Sequence, residues 1–136
     1  MVKELVPVVL ACALWGTRWT GQHVQFQIDN MSVVEVLLKG SSKEPSGIVM
    51  HLLRSLSFLL AHFCFTISAC HIAGVNNTLA DDISQNSPNN LFAQVPGICP
   101  HPCPIPSPLW SLLVLERPDW TSEKWRKLFT DFIHMV

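Results

Sequence analysis

Only two short segments of this chain have the sequence pattern of a β-strand, and this limits the folds that it can adopt. His23–Ile28 alternates polar and apolar residues, which is the period of a strand with one buried face. Phe63–Cys70 is rich in β-branched and aromatic residues, as buried strands are. Because two strands alone rarely form a stable sheet, the pattern indicates part of a sheet protein whose opening strands are absent.

Helical patterns lie before, between and after the two strands. Ser32 is placed to cap the second of these helices, and Gly40 is placed to stop it. Alternating helices and strands favour an α/β architecture. The apolar spacing predicts helices over Lys3–Trp15, Val33–Leu38, Ile48–His62 and Thr78–Ser84.

The length of 136 residues suits one domain with a tail. From Gln85 to Pro108 the sequence is dominated by Asn, Pro and Ser, which is typical of a linker. We therefore predict a domain over residues 1–85, a linker over 86–108 and a helical segment over 109–136. In that last segment Ser122 is a plausible N-cap for a helix over Glu123–His134, which either packs back on the domain or begins a following one.

The charge balance argues against a broad nucleic-acid-binding surface. The chain has nine Lys and Arg residues against ten Asp and Glu residues, so binding to nucleic acid must be local or supplied by a partner. Lys124, Arg126 and Lys127 give the last predicted helix a basic face. This face is either a solvated side of an amphipathic helix or a contact with the nucleic-acid backbone without sequence specificity.

Two apolar runs resemble targeting or membrane segments. Leu5–Trp15 is similar to the core of a signal peptide, but Pro7 lies inside it and it is too short to span a bilayer. Ile48–Cys70 is longer, but Arg54 and two histidines interrupt it. A buried helix followed by a buried strand explains it better, so we expect an intracellular protein that does not enter a membrane.

The five cysteines do not form a disulfide pattern, because their number is odd and their spacing irregular. Cys99 and Cys103 flank His101 in a Pro-rich segment. This arrangement is either a metal clip or a linker with incidental thiols, and no second ligand pair follows at the spacing of a zinc site.

Acidic residues are scarce, so their positions carry information. Glu4 opens the first predicted helix, Asp29 follows the first strand, and Asp81 opens the last helix of the compact part. Carboxylates from separate elements can meet at one edge of a sheet and bind Mg²⁺, and two such ions about 4 Å apart support phosphodiester hydrolysis. Acids at the ends of strands and helices also serve as solvated or capping groups, so both interpretations stay open.

One further pattern resembles a known enzyme family. His71, Gly74, Asn77, Ala80 and Asp81 stand in the order H-x-x-G-x-x-N-x-x-A-D, which is similar to the C-terminal motif of retroelement ribonuclease H domains. The upstream helix with Glu4 and the strand that ends in Asp29 occur in the same order as in that family. The chain most resembles the reverse transcriptase–ribonuclease H polyprotein of DIRS-type retrotransposons, with residues 86–136 matching the connector toward the recombinase.

The resemblance implies a ribonuclease H-like fold and a two-metal site. Members of the ribonuclease H family hydrolyse the RNA strand of RNA–DNA hybrids with Mg²⁺ or Mn²⁺. By the resemblance Glu4, Asp29 and Asp81 are metal ligands, with Asp82 as the competitor for the last role. His71 assists proton movement or product release, and Asn77 braces the turn that presents Asp81.

The sequence departs from the family in one important respect. The family's first three strands, and the aspartate on the first of them that bridges both metals, have no counterpart among these 136 residues. We therefore expect a truncated α/β domain that is inactive alone and depends on the polymerase and recombinase parts of the polyprotein. The alternative is a non-enzymatic interaction module or a non-functional retrotransposon remnant.

Overall fold

The computed structural model describes residues 1–84, 89–99, 101 and 103–105. The predicted helix over Glu123–His134 and the basic residues Lys124, Arg126 and Lys127 lie outside these residues. The helices, in chain order, are α1 (Val2–Trp15), α2 (Met31–Lys39), α3 (Ile48–Phe63), α4 (Thr78–Ser84) and α5 (Asn89–Gln94), and the strands are β1 (His23–Ile28) and β2 (Thr66–His71).

The two strands form a parallel pair, which confirms a mixed α/β class. The register runs from His23 opposite Thr66 to Ile28 opposite His71. A parallel pair needs a long crossover, and here α2 and α3 supply it. β1 has the predicted bounds, whereas β2 begins later than predicted because α3 continues through Phe63.

Alternation along the strands gives the sheet one apolar and one polar face. Ile28 and Ala69 are buried on the apolar face. The polar side chains of β1 are exposed, and opposite them the β2 residues range from exposed to half-buried. The polar face carries His23, Gln25 and Gln27 from β1 and Thr66, Ser68 and Cys70 from β2.

The core lies mainly between α1, α3 and the apolar face of the sheet. Leu5, Cys12 and Leu52 are fully buried, and α1 packs along α3. Burial raises the pKa of the Cys12 thiol to about 12, because an apolar environment disfavours the thiolate. The other core side chains come from α2, α3 and the strands and include Val33, Val34, Val49, Leu56, Leu59, Phe63 and Phe65.

The ends of α2 show how the sequence fixes a helix boundary. Asn30, and not the predicted Ser32, is the N-cap, because the Asn30 side chain accepts a hydrogen bond from the Val33 N–H at 3.2 Å. Gly40 ends the helix as predicted. Its φ of 68° is left-handed, a conformation that glycine adopts without the cost of a Cβ atom.

The segment predicted as an irregular linker contains the short helix α5 (Asn89–Gln94), which packs against α4. Further along, the Ile105 side chain contacts the core. Thus the chain beyond Ser84 is partly helical and returns to the domain. Within the described residues, no helix has both the length and the apolar content needed to cross a membrane.

Candidate functional site at the carboxyl edge of the sheet

The carboxyl ends of the two parallel strands carry two of the predicted site residues. Ile28 and His71 are opposite each other in the register, and the Ile72 N–H donates to the Ile28 carbonyl at 2.9 Å. Asp29 follows directly after Ile28, and both Asp29 and His71 are exposed. The parallel pairing therefore brings Asp29 and His71 to the same end of the sheet.

The turn after β2 leads into the helix that carries Asp81. Gly74, Val75 and Asn76 form a single 3₁₀ turn, and the Asn77 N–H donates to the Gly74 carbonyl at 3.0 Å. The Asp81 N–H then donates to the Asn77 carbonyl at 3.1 Å, which is the first bond of α4. Asn77 thus joins the turn to the helix through its backbone, and Asp81 lies in the first turn of that helix.

Glu4 lies in the first turn of α1, where a negative charge is favourable because of the helix dipole. Its carboxylate forms an ion pair with the Met1 ammonium at 3.1 Å. A hydrogen bond from that ammonium is the main reason why the pKa of Glu4 is below its usual value. Glu4 is half-buried at this helix start.

The predicted metal ligands do not form a ready-made site. Across the described parts of the chain, no three His, Cys, Asp or Glu side chains are grouped so that they could hold a metal ion. Glu4, Asp29 and Asp81 are all among these residues, and so are Cys99, His101 and Cys103. The sequence alone could not show how these side chains are spaced, because it does not specify distances between elements.

No family model matches the chain, and neither a curated protein nor a solved structure matches it. The resemblance to ribonuclease H therefore depends on the motif between His71 and Asp81 and on the order of Glu4 and Asp29 before it.

The amino edge of the sheet differs from the carboxyl edge because aromatic side chains pack together on its apolar side. The Trp19 ring packs edge-on against Phe65, with centroids 5.5 Å apart, and against Phe26 at 6.2 Å. Gly16 lies so close to Phe63 that an added Cβ atom would overlap the Phe63 ring. This close approach brings the C-terminal ends of α1 and α3 together.

A hydrogen-bonded histidine on the polar face of the sheet is a feature that sequence reasoning missed. The His23 Nδ1 atom is 2.7 Å from the Thr66 hydroxyl, and its Nε2 atom is 3.0 Å from the Ser68 hydroxyl. The imidazole thus bridges β1 and β2. The partners are more than forty positions apart in the chain. In the sequence, only the alternation of polar and apolar residues in both strands could have suggested that these side chains share one face.

Beside this histidine is a shallow cavity of about 410 Å³. Its lining includes His23, Gln22, Thr66 and the exposed residue Cys64. Cys64 has a φ of 55°, and its thiol is directed to the Ala61 carbonyl at 3.5 Å. The cavity is at the amino edge, so it is separate from the edge where Asp29 and His71 lie.

Proposed function

We propose that this chain is a ribonuclease H-like fragment of a retroelement polyprotein, inactive by itself. The observation that carries this proposal is the placement of Asp29 and His71 at the carboxyl ends of two adjacent parallel strands. A short turn then leads from His71 to Asp81 at the start of a helix. Phosphodiester hydrolysis by two metals needs carboxylates from separate elements at one place, and this sheet edge supports such an arrangement.

The proposed lack of activity follows from the sequence. The family's first three strands, with the aspartate that bridges both metals, have no counterpart among these 136 residues, so a bridging ligand and the strand that carries it would have to come from elsewhere in the polyprotein. In the complete assembly Glu4, Asp29 and Asp81 would hold divalent metal, and the metal would supply the activated water. His71, exposed at the end of β2, would move a proton near the site, and the substrate would be an RNA–DNA hybrid.

The decisive experiment supplies what the chain lacks. The first three strands of an active retroelement ribonuclease H are fused before Met1, and cleavage of a labelled RNA–DNA hybrid is followed with Mg²⁺ or Mn²⁺. We expect cleavage by the fusion and none by the 136-residue chain. In the fusion, Asp29→Asn should lower the cleavage rate at least about a hundredfold, while Glu44→Gln, which removes a carboxylate in the connector before α3, should leave it unchanged.

Two results would contradict the proposal. Cleavage by the unfused chain that disappears in Asp29→Asn would show that the fragment is itself a ribonuclease. Cleavage by the fusion that is unaffected by Asp29→Asn and by Asp81→Asn would show that these carboxylates are not its metal ligands.

The second candidate function is a non-enzymatic interaction module. It is favoured by the polar sheet face, where His23, Gln25 and Gln27 are exposed, and by apolar side chains at the surface such as Trp15 and Phe58, each 37% exposed. Such a module would bind a partner without any requirement for divalent metal, and the fusion would not cleave the hybrid.

A further inference from the structure

The outer edge of β1 is the long side of this strand that does not face β2. Its backbone N–H and C=O groups are unpaired within the described residues. In a parallel pair, alternate residues of a strand direct both backbone groups to the neighbouring strand. The Gln22 carbonyl accepts from the Thr66 N–H at 3.1 Å, and the Ile28 carbonyl accepts from the Ile72 N–H at 2.9 Å. The even-numbered residues from Gln22 to Ile28 therefore direct their backbone N–H and C=O groups toward β2. His23, Gln25 and Gln27 direct their N–H and C=O groups away from it.

No other part of the described chain covers this edge. Among residues 1–84, 89–99, 101 and 103–105, none forms a backbone hydrogen bond to His23, Gln25 or Gln27 outside the strand pair. All three residues are exposed. On β2 the outer edge is more protected, because α2 packs mainly on that strand. The outer edge of β1 is thus the more open of the two.

β1 also has none of the features that usually prevent pairing with another chain. Proteins protect exposed edges with charged residues, proline or bulges. The sequence His-Val-Gln-Phe-Gln-Ile contains no Lys, Arg, Asp, Glu or Pro, and its pairing with β2 is continuous without a bulge. The net charge of the chain is −1, so long-range repulsion between two copies is small.

We propose that the outer edge of β1 is an interface with a second copy of this chain, whose β1 adds antiparallel to it about a two-fold axis through Gln25. In this register Gln25 is opposite its own counterpart and His23 is opposite Gln27 of the second copy. Each of these pairs exchanges two backbone hydrogen bonds. The inference does not depend on the ribonuclease proposal.

The side-chain order of the strand fits this two-fold arrangement. From His23 to Gln27 the order is polar, apolar, polar, apolar, polar, which reads the same in both directions. Val24 is therefore opposite Phe26 of the second copy on the apolar face, and both are already half-buried. A two-fold interface requires this kind of self-complementary surface.

The test measures the mass of the full 136-residue chain in solution by sedimentation equilibrium over a range of concentrations. Wild-type protein should be a dimer in the micromolar range. Gln25→Lys and Gln25→Glu should each raise the dissociation constant at least about tenfold, because like charges opposite each other in a strand pair are destabilising. An equal mixture of the two variants should form a dimer again, since opposite charges then face each other.

Ser57 provides the matched control, because it is exposed on α3 away from the strand edge. Ser57→Lys and Ser57→Glu change the net charge equally and should leave the dissociation constant unchanged. Circular dichroism of every variant should match the wild type, which separates lost association from lost folding.

Three outcomes would overturn the inference. One is a wild-type chain that stays monomeric up to high micromolar concentration, as it would if residues 106–136 covered the edge. Another is a dimer whose dissociation constant is the same in wild type and Gln25→Lys. The third is a pair of Gln25 variants that do not associate when mixed although each is folded. The mass measurement uses the unfused chain and the cleavage assay uses the fusion, so failure of one proposal can be told apart from failure of the other.

Discussion

The two ends of the sheet are built in opposite ways. At the amino edge, Trp19 packs against Phe26 and Phe65, and the Phe63 ring lies on Gly16. At the carboxyl edge, Asp29 and His71 are exposed. The difference indicates that the amino edge holds α1, α3 and the strands together, while the carboxyl edge leaves polar groups available at little cost in stability.

The largest effect is expected from removing an aromatic ring at the amino edge. Phe63 is only 7% exposed, and truncation of a buried Phe to Ala typically costs about 3–5 kcal/mol. Phe63→Ala should lower the free energy of unfolding in urea by this amount. Phe58→Ala is the control, because Phe58 is 37% exposed and should cost clearly less. Equal costs would show that the amino edge is not specially packed.

A somewhat smaller effect is expected from adding a methyl group at the same place. The Cβ atom of Gly16→Ala would overlap the Phe63 ring, and overpacking of this kind costs about 1–3 kcal/mol. In a Phe63→Ala background the clash is absent, so the same substitution should cost much less. A double-mutant cycle of urea unfolding measures the coupling, and simple additivity of the two costs would refute the close contact.

At the carboxyl edge, the helix cap next to Asp29 should matter moderately. Asn30→Ala removes the acceptor for the Val33 N–H and should lower the free energy of unfolding by about 1 kcal/mol. Ser32→Ala, two positions further on, should change it by less than about 0.5 kcal/mol. Thermal unfolding followed by circular dichroism compares the two. A larger effect at Ser32 would mean that α2 begins there instead.

The smallest change in stability is expected at the proposed functional residue. Asp29 is exposed, so Asp29→Asn should alter the free energy of unfolding by less than about 0.5 kcal/mol, even though it should greatly lower the rate of hybrid cleavage by the fusion. A strong destabilisation in urea would indicate that Asp29 has a structural role, and the contrast between the two edges would then be lost.

Local patterns in the sequence predict much of the fold. Strict alternation of polar and apolar residues predicts the bounds of β1. Gly40 marks the end of α2, because few other residues adopt its left-handed backbone conformation. Ser32 and Asn30 are both good capping residues, so sequence alone could not choose between them. The helix α5 (Asn89–Gln94) was missed because Asn and Pro around it are typical of irregular segments.

The site is less accessible to sequence reasoning, because it depends on distances between elements. The motif from His71 to Asp81 predicted a turn followed by a helix, and the structure has both. The strand register could not be read from the chain, yet it brings Ile28 and His71 opposite each other. The same is true of the His23 bridge to Thr66 and Ser68, whose partners are joined only by the crossover through α2 and α3.

Cys12 has a practical consequence for work on this protein. Its side chain is fully buried, and thiolate is the form that reacts with alkylating reagents. Alkylation of Cys12 therefore requires the helix pair α1 and α3 to separate, whereas the exposed Cys64 reacts from the folded state. The rate of Cys12 modification at each denaturant concentration should thus report how often the core opens. Cys12 would therefore be a native probe of how often the domain opens locally.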